Sequence, residues 1–215
     1  MDVKPRKLPR QARAKVTVDA IVEATTQLFL QAGYDRFTTA RVAERAGVSV
    51  GSLYQYFPNK AALASAVIDR CCENYLIAFE SALASQRRVT LAECIRAIVD
   101  VTLVSHHLMP DLHRIVFDLA PRIGVEEKTE NLSRTAAQWI ETMLCRHADE
   151  IACDIDIATA AIIIETLLEA LAHRAVLAHP VRLEDDRLAG EVTRLIHSYL
   201  IHGARSPESA GLGGS

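Results

Sequence analysis

Thr38-Thr39-Ala40-Arg41-Val42-Ala43-Glu44-Arg45-Ala46-Gly47-Val48-Ser49-Val50-Gly51-Ser52-Leu53-Tyr54-Gln55-Tyr56-Phe57-Pro58-Asn59-Lys60 decides how this chain folds. Thr38 and Ser49 each precede a short run with helical apolar spacing. Both are residue types whose side-chain oxygen accepts from the free N–H groups of a first helical turn. An apolar pair brackets each cap, Phe37 with Val42 and Val48 with Leu53, and clamps the chain where it enters the helix. The spacing predicts one helix over Thr39–Ala46 and another over Val50–Phe57, ended by Pro58-Asn59. Gly47, between them, is the residue best able to take the left-handed conformation of a sharp turn. Two short capped helices joined through Ala46-Gly47-Val48 have the pattern of a helix-turn-helix. Ala43 is small where the helices would cross, and Val42, Val48 and Leu53 would hold the pair on a preceding helix.

The second of these helices is sorted by face. Val50, Leu53 and Phe57 recur at i, i+3 and i+7, so Leu53 and Phe57 are expected to pack inward, while Gly51, Ser52, Gln55 and Tyr56 point elsewhere. A DNA major groove admits one α-helix, and this face suits it. Gly51 lets the backbone approach closely. Ser52 and Gln55 can bond base edges, glutamine being suited to adenine. Tyr54 and Tyr56 can reach phosphates with their hydroxyls while their rings touch sugar or a thymine methyl. Ser49 and Val50 open the same helix. Thr38, Thr39 and Arg41 could hold the DNA backbone, and Lys60 adds charge at the start of the next helix. The candidate DNA contacts are therefore Thr38, Thr39, Arg41, Ser49, Val50, Gly51, Ser52, Tyr54, Gln55, Tyr56 and Lys60. A plain three-helix bundle would have the same shape, so the charge pattern is the second argument.

Residues 1–60 carry ten Lys/Arg against five Asp/Glu, a net of +5, and the remainder fourteen against twenty-two, a net of −8, within an overall −3. A basic front on an acidic body suits a polyanion. Residues 1–15 read as a basic flexible arm, with Lys4, Arg6, Lys7, Arg10, Arg13 and Lys15. A first helix is expected over Thr17–Ala32, capped by Thr17 with Val16 and Ile21 as its apolar clamp and stopped at Gly33.

Downstream the periodicity is helical throughout and strand signals are nearly absent, so the fold class is all-α. A long helix starts near Lys60 and could reach Leu83. Thr90-Leu91-Ala92-Glu93 is a capping box for a fifth helix, to about Leu108. Pro110 starts a sixth and Pro121 ends it. Three more follow, over about Glu126–His147, Ile157–Ala178 and Glu184–His202, for about nine in total. Residues 204–215 read as a flexible tail. The division expected is 1–15 arm, 16–60 helix-turn-helix DNA-binding domain, 61–203 larger helical domain, and 204–215 tail.

Half of the 215 residues are hydrophobic and 24% charged, enough for a sizeable core and against wholesale disorder. Five cysteines, an odd number with no Cys-x-x-Cys pair, read mostly as small core residues in a reducing compartment. No secretory signal is evident, and the most apolar stretch, Ile157 to Leu171, is broken by Glu165 and Glu169 and is short for a membrane span. A cytoplasmic protein is expected. His106, His107 and His113 invite a metal reading, but adjacent histidines point about 100° apart on a helix and Pro110 interrupts the run. No nucleophile elbow or metal-hydrolase motif appears, so neither an enzyme nor a cofactor is expected.

Residues 17–60 resemble the N-terminal domain of TetR-family transcriptional regulators. The run Ala46-Gly47-Val48-Ser49, followed by Gly51-Ser52-Leu53-Tyr54 and Tyr56-Phe57, carries the resemblance, which at motif strength covers about a fifth of the chain. A family position early in the second helix that is often basic is Ala40 here, and no base contact is carried over to it. The resemblance implies a homodimer through a four-helix bundle of the last two helices. Helix eight has small residues at Ala158, Ala160, Ala161, Ala170, Ala172 and Ala175, beside Ile162, Ile163, Leu167 and Leu171. Helix nine offers Leu188, Val192, Leu195, Ile196 and Tyr199. It also implies a small-molecule effector pocket among helices four to eight, with Phe79, Ile98, Thr102, His106, Met109, Phe117, Trp139 and Met143 as candidate lining residues. The function implied is a ligand-responsive repressor that binds a pseudo-palindromic double-stranded DNA operator as a dimer and is released by a small molecule. A transcriptional activator or ligand-independent regulator is the alternative, and a helical small-molecule-binding protein or enzyme that does not use DNA is the rival from another class.

Overall fold

The computed structural model describes residues 3, 12–85, 90–108, 110–178 and 186–203. Among them are nine helices and no strand: α1 (Ala12–Arg36), α2 (Thr39–Arg45), α3 (Val50–Tyr56), α4 (Lys60–Ser85), α5 (Leu91–Leu108), α6 (Pro110–Ile123), α7 (Glu126–Cys145), α8 (Ile157–Ala178) and α9 (Asp186–His202). They divide into two compact units, Met1–Ile77 with Ser105–Ser133, and Ala78–Val104 with Arg134–Ser215. Most of the expected arm, residues 4–11, and the whole tail, 204–215, lie outside the described residues.

The predicted cap of α1 is a correction. The helix starts at Ala12, so Thr17 lies inside it. Ala12, Arg13, Ala14 and Lys15 are strong helix formers and extend the helix past a residue that would otherwise cap it. Gly33 does interrupt α1 (φ 73°, ψ 168°), and one further turn follows it to Arg36. Pro121 is a second correction, because it lies within α6 rather than ending it. The helix ends two residues later through Gly124 N–H donating to Pro121 O (3.2 Å) and Val125 N–H to Ala120 O (2.9 Å). That paired bonding ends a helix without needing proline to do so.

The capping box at α5 forms as read. Thr90 N–H donates to Glu93 Oε2 at 2.9 Å, and Glu93 N–H returns to Thr90 Oγ1 at 3.3 Å. The Thr90 N–H and the Thr90 hydroxyl, which also donates to Glu93 Oε2 at 2.9 Å, hold the Glu93 carboxyl below its usual pKa. Asn59 Oδ1 caps α4 by accepting from Ala62 N–H (2.8 Å), and Asp156 Oδ1 caps α8 by accepting from Thr159 N–H (2.8 Å).

In the first unit the larger of two core clusters holds Ile21, Leu28 and Phe29 of α1, Val42 of α2, Leu53 of α3, Leu63 of α4 and Leu119 of α6, with Phe37 and Phe57 between helices, and Ile68, Val116, Ala120 and Val125 form the smaller one. Phe37 packs edge-on to Phe29, with centroids 4.7 Å apart. Ion pairs Arg70–Asp19 and Lys128–Asp69 join helices at its margin. In the second unit Phe79, Ile95, Ile98, Ile140, Leu144, Ile164, Leu168, Ile196 and Leu200 are buried. Ala152 N–H donates to Leu200 O (2.9 Å), and an Arg96–Asp186 pair ties α5 to the start of α9. The buried Thr102 is satisfied by its own helix, Oγ1 donating to Ile98 O at 2.8 Å. Of the cysteines, Cys94 is buried, Cys71 and Cys72 are half-buried, and Cys145 and Cys153 are exposed.

Candidate functional site

The turn between α2 and α3 fixes the direction of α3. Gly47 sits at φ 67°, which a residue with a Cβ enters only at a cost. Its N–H donates to Glu44 O (3.1 Å) and that of Val48 to Ala43 O (2.9 Å), so two orphan carbonyls of α2 are satisfied and the chain turns sharply. Both caps are as read: Thr38 Oγ1 accepts from Arg41 N–H at 3.3 Å, and Ser49 Oγ accepts from Ser52 N–H at 3.0 Å. Leu53 and Phe57 are sealed in the core at 0% and 1% exposure. Burying two side chains of this size contributes about 1.5–3 kcal/mol each. They hold α3 by one face and leave the other out.

That other face carries Val50, Gly51, Tyr54 and Gln55, all exposed, with Ser52 half-buried. Tyr56 is half-buried and packs against the core, so its ring is part of the support rather than free of it. At the start of α2, Thr38 and Arg41 are exposed and Thr39 is half-buried. Thr39 Oγ1 lies 3.0 Å from the Tyr54 hydroxyl. This bond brings the two helices' polar residues into one surface. Lys60 is placed differently from the expectation of a charge presented to phosphate. Its Nζ donates to Asp35 O (3.1 Å) and lies 4.7 Å and 4.6 Å over the rings of Tyr34 and Phe37. Burial lowers its pKa. An ammonium over two aromatic faces is held by their quadrupoles.

The second unit contains a cavity of about 300 Å³, lined by Glu80, Leu83 and Ala84 of α4, Cys94 of α5, and Trp139, Thr142, Met143, Arg146 and His147 of α7 and the turn after it. Of the sequence-predicted pocket residues, Trp139 and Met143 line it. Phe79 stacks behind Trp139, with centroids 6.3 Å apart and planes at 27°. Ile98 and Thr102 are buried in the same unit without lining it. Phe117 belongs to the other unit. The side chain of His106 and the whole of Met109 lie outside the described residues. The missed lining residues were signalled by spacing: Thr142 and Arg146 extend the Trp139–Met143 stripe at i+3 and i+7, and Glu80, Leu83 and Ala84 repeat at i, i+3 and i+4. Among the described residues no group of His, Cys, Asp and Glu is arranged to hold a metal ion, and no helix is long and apolar enough to cross a membrane.

Two family models match this chain. Residues 21–67 match the N-terminal profile of bacterial regulatory proteins of the tetR family, and residues 90–200 match the tetracyclin repressor-like C-terminal domain. The chain belongs to the TetR family. This TetR-family chain is similar to the A-factor receptor protein of Streptomyces griseus, 39% identical over 62 residues, which are 29% of this chain and 22% of that protein. An HTH-type transcriptional repressor of Mycobacterium tuberculosis, Rv1353c, is 28% identical over 130 residues, or 59% of this chain and 49% of that one. The chain thus spans half the length or less of the curated relatives it matches. Among solved structures, Salmonella enterica GusR superposes with a TM-score of 0.70 at 20% identity, covering 89% of this chain and 98% of that one. SmeT, the repressor of the Stenotrophomonas maltophilia multidrug efflux pump SmeDEF, gives 0.67 at 20%, covering 93% and 100%. At these identities the likeness is one of fold, and it extends over both units of the TetR-family chain.

Proposed function

We propose that this TetR-family protein is a cytoplasmic, ligand-responsive repressor that binds a pseudo-palindromic DNA operator as a homodimer and lets go when a small molecule occupies the cavity of its second unit. The observation that carries the reading is the division of α3, with Leu53 and Phe57 sealed in the core and Val50, Gly51, Tyr54 and Gln55 presented outward. A helix held by one face over a rigid core presents its other face to a groove with little freedom to lose. Tyr54 and Gln55 read bases, with Ser52 beside them, while Thr38, Thr39, Arg41 and Ser49 position the phosphate backbone. The protein works by binding and not as an enzyme.

Dimerisation is supported by what a single chain leaves uncovered. Ala160, Ala161, Ala172, Val192 and Ile196 are spent in the chain's own core. Ile162, Ile163 and Leu195 are 60%, 46% and 57% exposed, and Ala158 and Ala170, on the same helix as the two isoleucines, are exposed too. Large apolar side chains grouped on two helices mark a surface for a partner. Two copies of α3 then reach half-sites about 34–36 Å apart, one turn of DNA.

Release runs through α4. This helix is continuous from Lys60, three residues after Phe57, to Ser85, and its far end places Glu80, Leu83 and Ala84 on the cavity. A ligand that favours one tilt of α4 shifts the separation of the two reading helices and so their joint affinity. Repression rather than activation is favoured by the named relatives that are repressors. The test is selection of bound duplex from a random pool, then a screen for compounds that release it. Enrichment of a two-fold symmetric site with steeply salt-dependent affinity supports the reading. Failure to enrich any site, or turnover of a small molecule with no DNA dependence, contradicts it.

A further inference from the structure

Two side chains that line the cavity, with a third behind them, form a chain that the regulatory reading does not use. Cys94 Sγ lies 3.5 Å from His147 Nε2, and His147 Nδ1 lies 2.8 Å from Glu150 Oε1. Glu150 is itself fixed: its two carboxylate oxygens lie 3.3 and 3.4 Å from Leu91 N–H, a free donor of the first turn of α5. A carboxylate at Nδ1 keeps the proton there and leaves the Nε2 lone pair toward sulfur. This is the order of groups that removes a proton from a nucleophile as it attacks. Cys94 and His147 both line the cavity, and no other cysteine is among the lining residues. Disulfide chemistry therefore has no second thiol there.

We propose that this cavity is a covalent capture site for α,β-unsaturated carbonyl compounds, in which Cys94 adds through sulfur to the β-carbon and His147, oriented by Glu150, takes the thiol proton. The S–H bond breaks and an S–C bond forms. The π pair of the alkene moves onto the carbonyl as an enolate, which then takes the proton from His147 at its α-carbon. The product is a thioether, His147 is neutral again, and the addition needs no oxidant and expels no group. The walls suit this class. Trp139, backed by Phe79, offers a flat apolar surface to a conjugated system, and Arg146 can face the carbonyl oxygen where negative charge develops. Burial, with Glu150 and Glu93 nearby, raises the Cys94 thiol above its ordinary pKa. The resting thiol is thus protonated and slow toward bulk reagents, and it reacts when a compound is seated beside it with His147 ready.

The inference deepens the effector-site reading and rests on it for its regulatory consequence, but its chemistry is read without DNA. The full chain carrying Cys145→Ser and Cys153→Ser, which removes the two exposed thiols, is incubated with trans-cinnamaldehyde. Adducts are fixed by borohydride and mapped by peptide mass spectrometry. Cys71 and Cys72, whose thiols burial pushes up to about 12 and about 11, are the internal reference. The expected result is an adduct at Cys94 well ahead of both, slowed tenfold or more by His147→Gln and by Glu150→Gln in proteins whose melting is unchanged. Cys94 labelling no faster than Cys71 and Cys72, or equally fast in both variants, overturns it. A protein that labels at Cys94 yet enriches no operator sinks the regulator reading alone, and one that holds its operator while Cys94 stays unlabelled sinks this inference alone.

Discussion

Thr39 Oγ1 and the Tyr54 hydroxyl lie 3.0 Å apart, joining the first residue of α2 to the outward face of α3. The bond is exposed, so it adds little to folding, since water competes for both groups. Its value is in orientation, because it aims the Tyr54 ring. Tyr54→Phe is expected to leave Tm within about a degree, the scale of a net change under about 0.5 kcal/mol, while operator affinity falls several-fold. Thermal unfolding and fluorescence anisotropy with labelled duplex check the two halves. A large fall in Tm would mean the hydroxyl is structural.

Gly47 tests the turn. A Cβ built there meets nothing within 4 Å, so any cost of Gly47→Ala arises from the backbone at φ 67° and not from crowding. The expected loss is about 1–2 kcal/mol, read as a fall of a few degrees in Tm. Gly47→Asn should lose less, because asparagine tolerates this region better. Equal stability of wild type and Gly47→Ala would contradict the turn geometry.

Lys60 separates a structural charge from a phosphate contact. Its ammonium is held by Asp35 O and by the faces of Tyr34 and Phe37. Lys60→Met should lower Tm and leave the slope of log affinity against log salt unchanged. A lost phosphate contact would instead shallow that slope by about 0.9. Measuring affinity at several salt concentrations decides between them.

The α5 capping box gives a pH prediction. Bonds from Thr90 hold the Glu93 carboxyl below its ordinary pKa in the folded chain. A depressed carboxylate stabilises the fold above its unfolded pKa, and that contribution is lost as pH falls through the folded value. The Tm difference between wild type and Glu93→Gln should therefore be present at neutral pH and close in the acid range, below about 4.5. A difference that persists at low pH would assign the effect to something other than the carboxylate.

Local signals in the sequence were legible where their physics is local. The Thr38 and Ser49 caps, the Gly47 turn and the burial of Leu53 and Phe57 each follow from residue type and spacing within one or two turns. Thr17 misled for the same reason, since a cap signal competes with helix propensity on its N-terminal side, and Ala12–Lys15 prevail. Lys60 was not legible. Its partners Asp35, Tyr34 and Phe37 lie some 25 residues away in sequence and are brought to it only by packing. The cavity was partly legible: Trp139 and Met143 were reached through the family resemblance, but Cys94, His147 and Glu150 come from α5 and from the turn after α7 and meet only in three dimensions.

The central claim is that the outward face of α3 reads base sequence. The most direct measurement compares wild type with Tyr54→Ala and with Gln55→Ala on two duplexes, the selected operator and a scrambled sequence of equal length, at one salt concentration. Both variants are expected to lose about tenfold or more on the operator, the worth of one good base contact at about 1–3 kcal/mol, and to bind the scrambled duplex like wild type. Unchanged operator affinity in both variants, or equal losses on the two duplexes, would contradict the account.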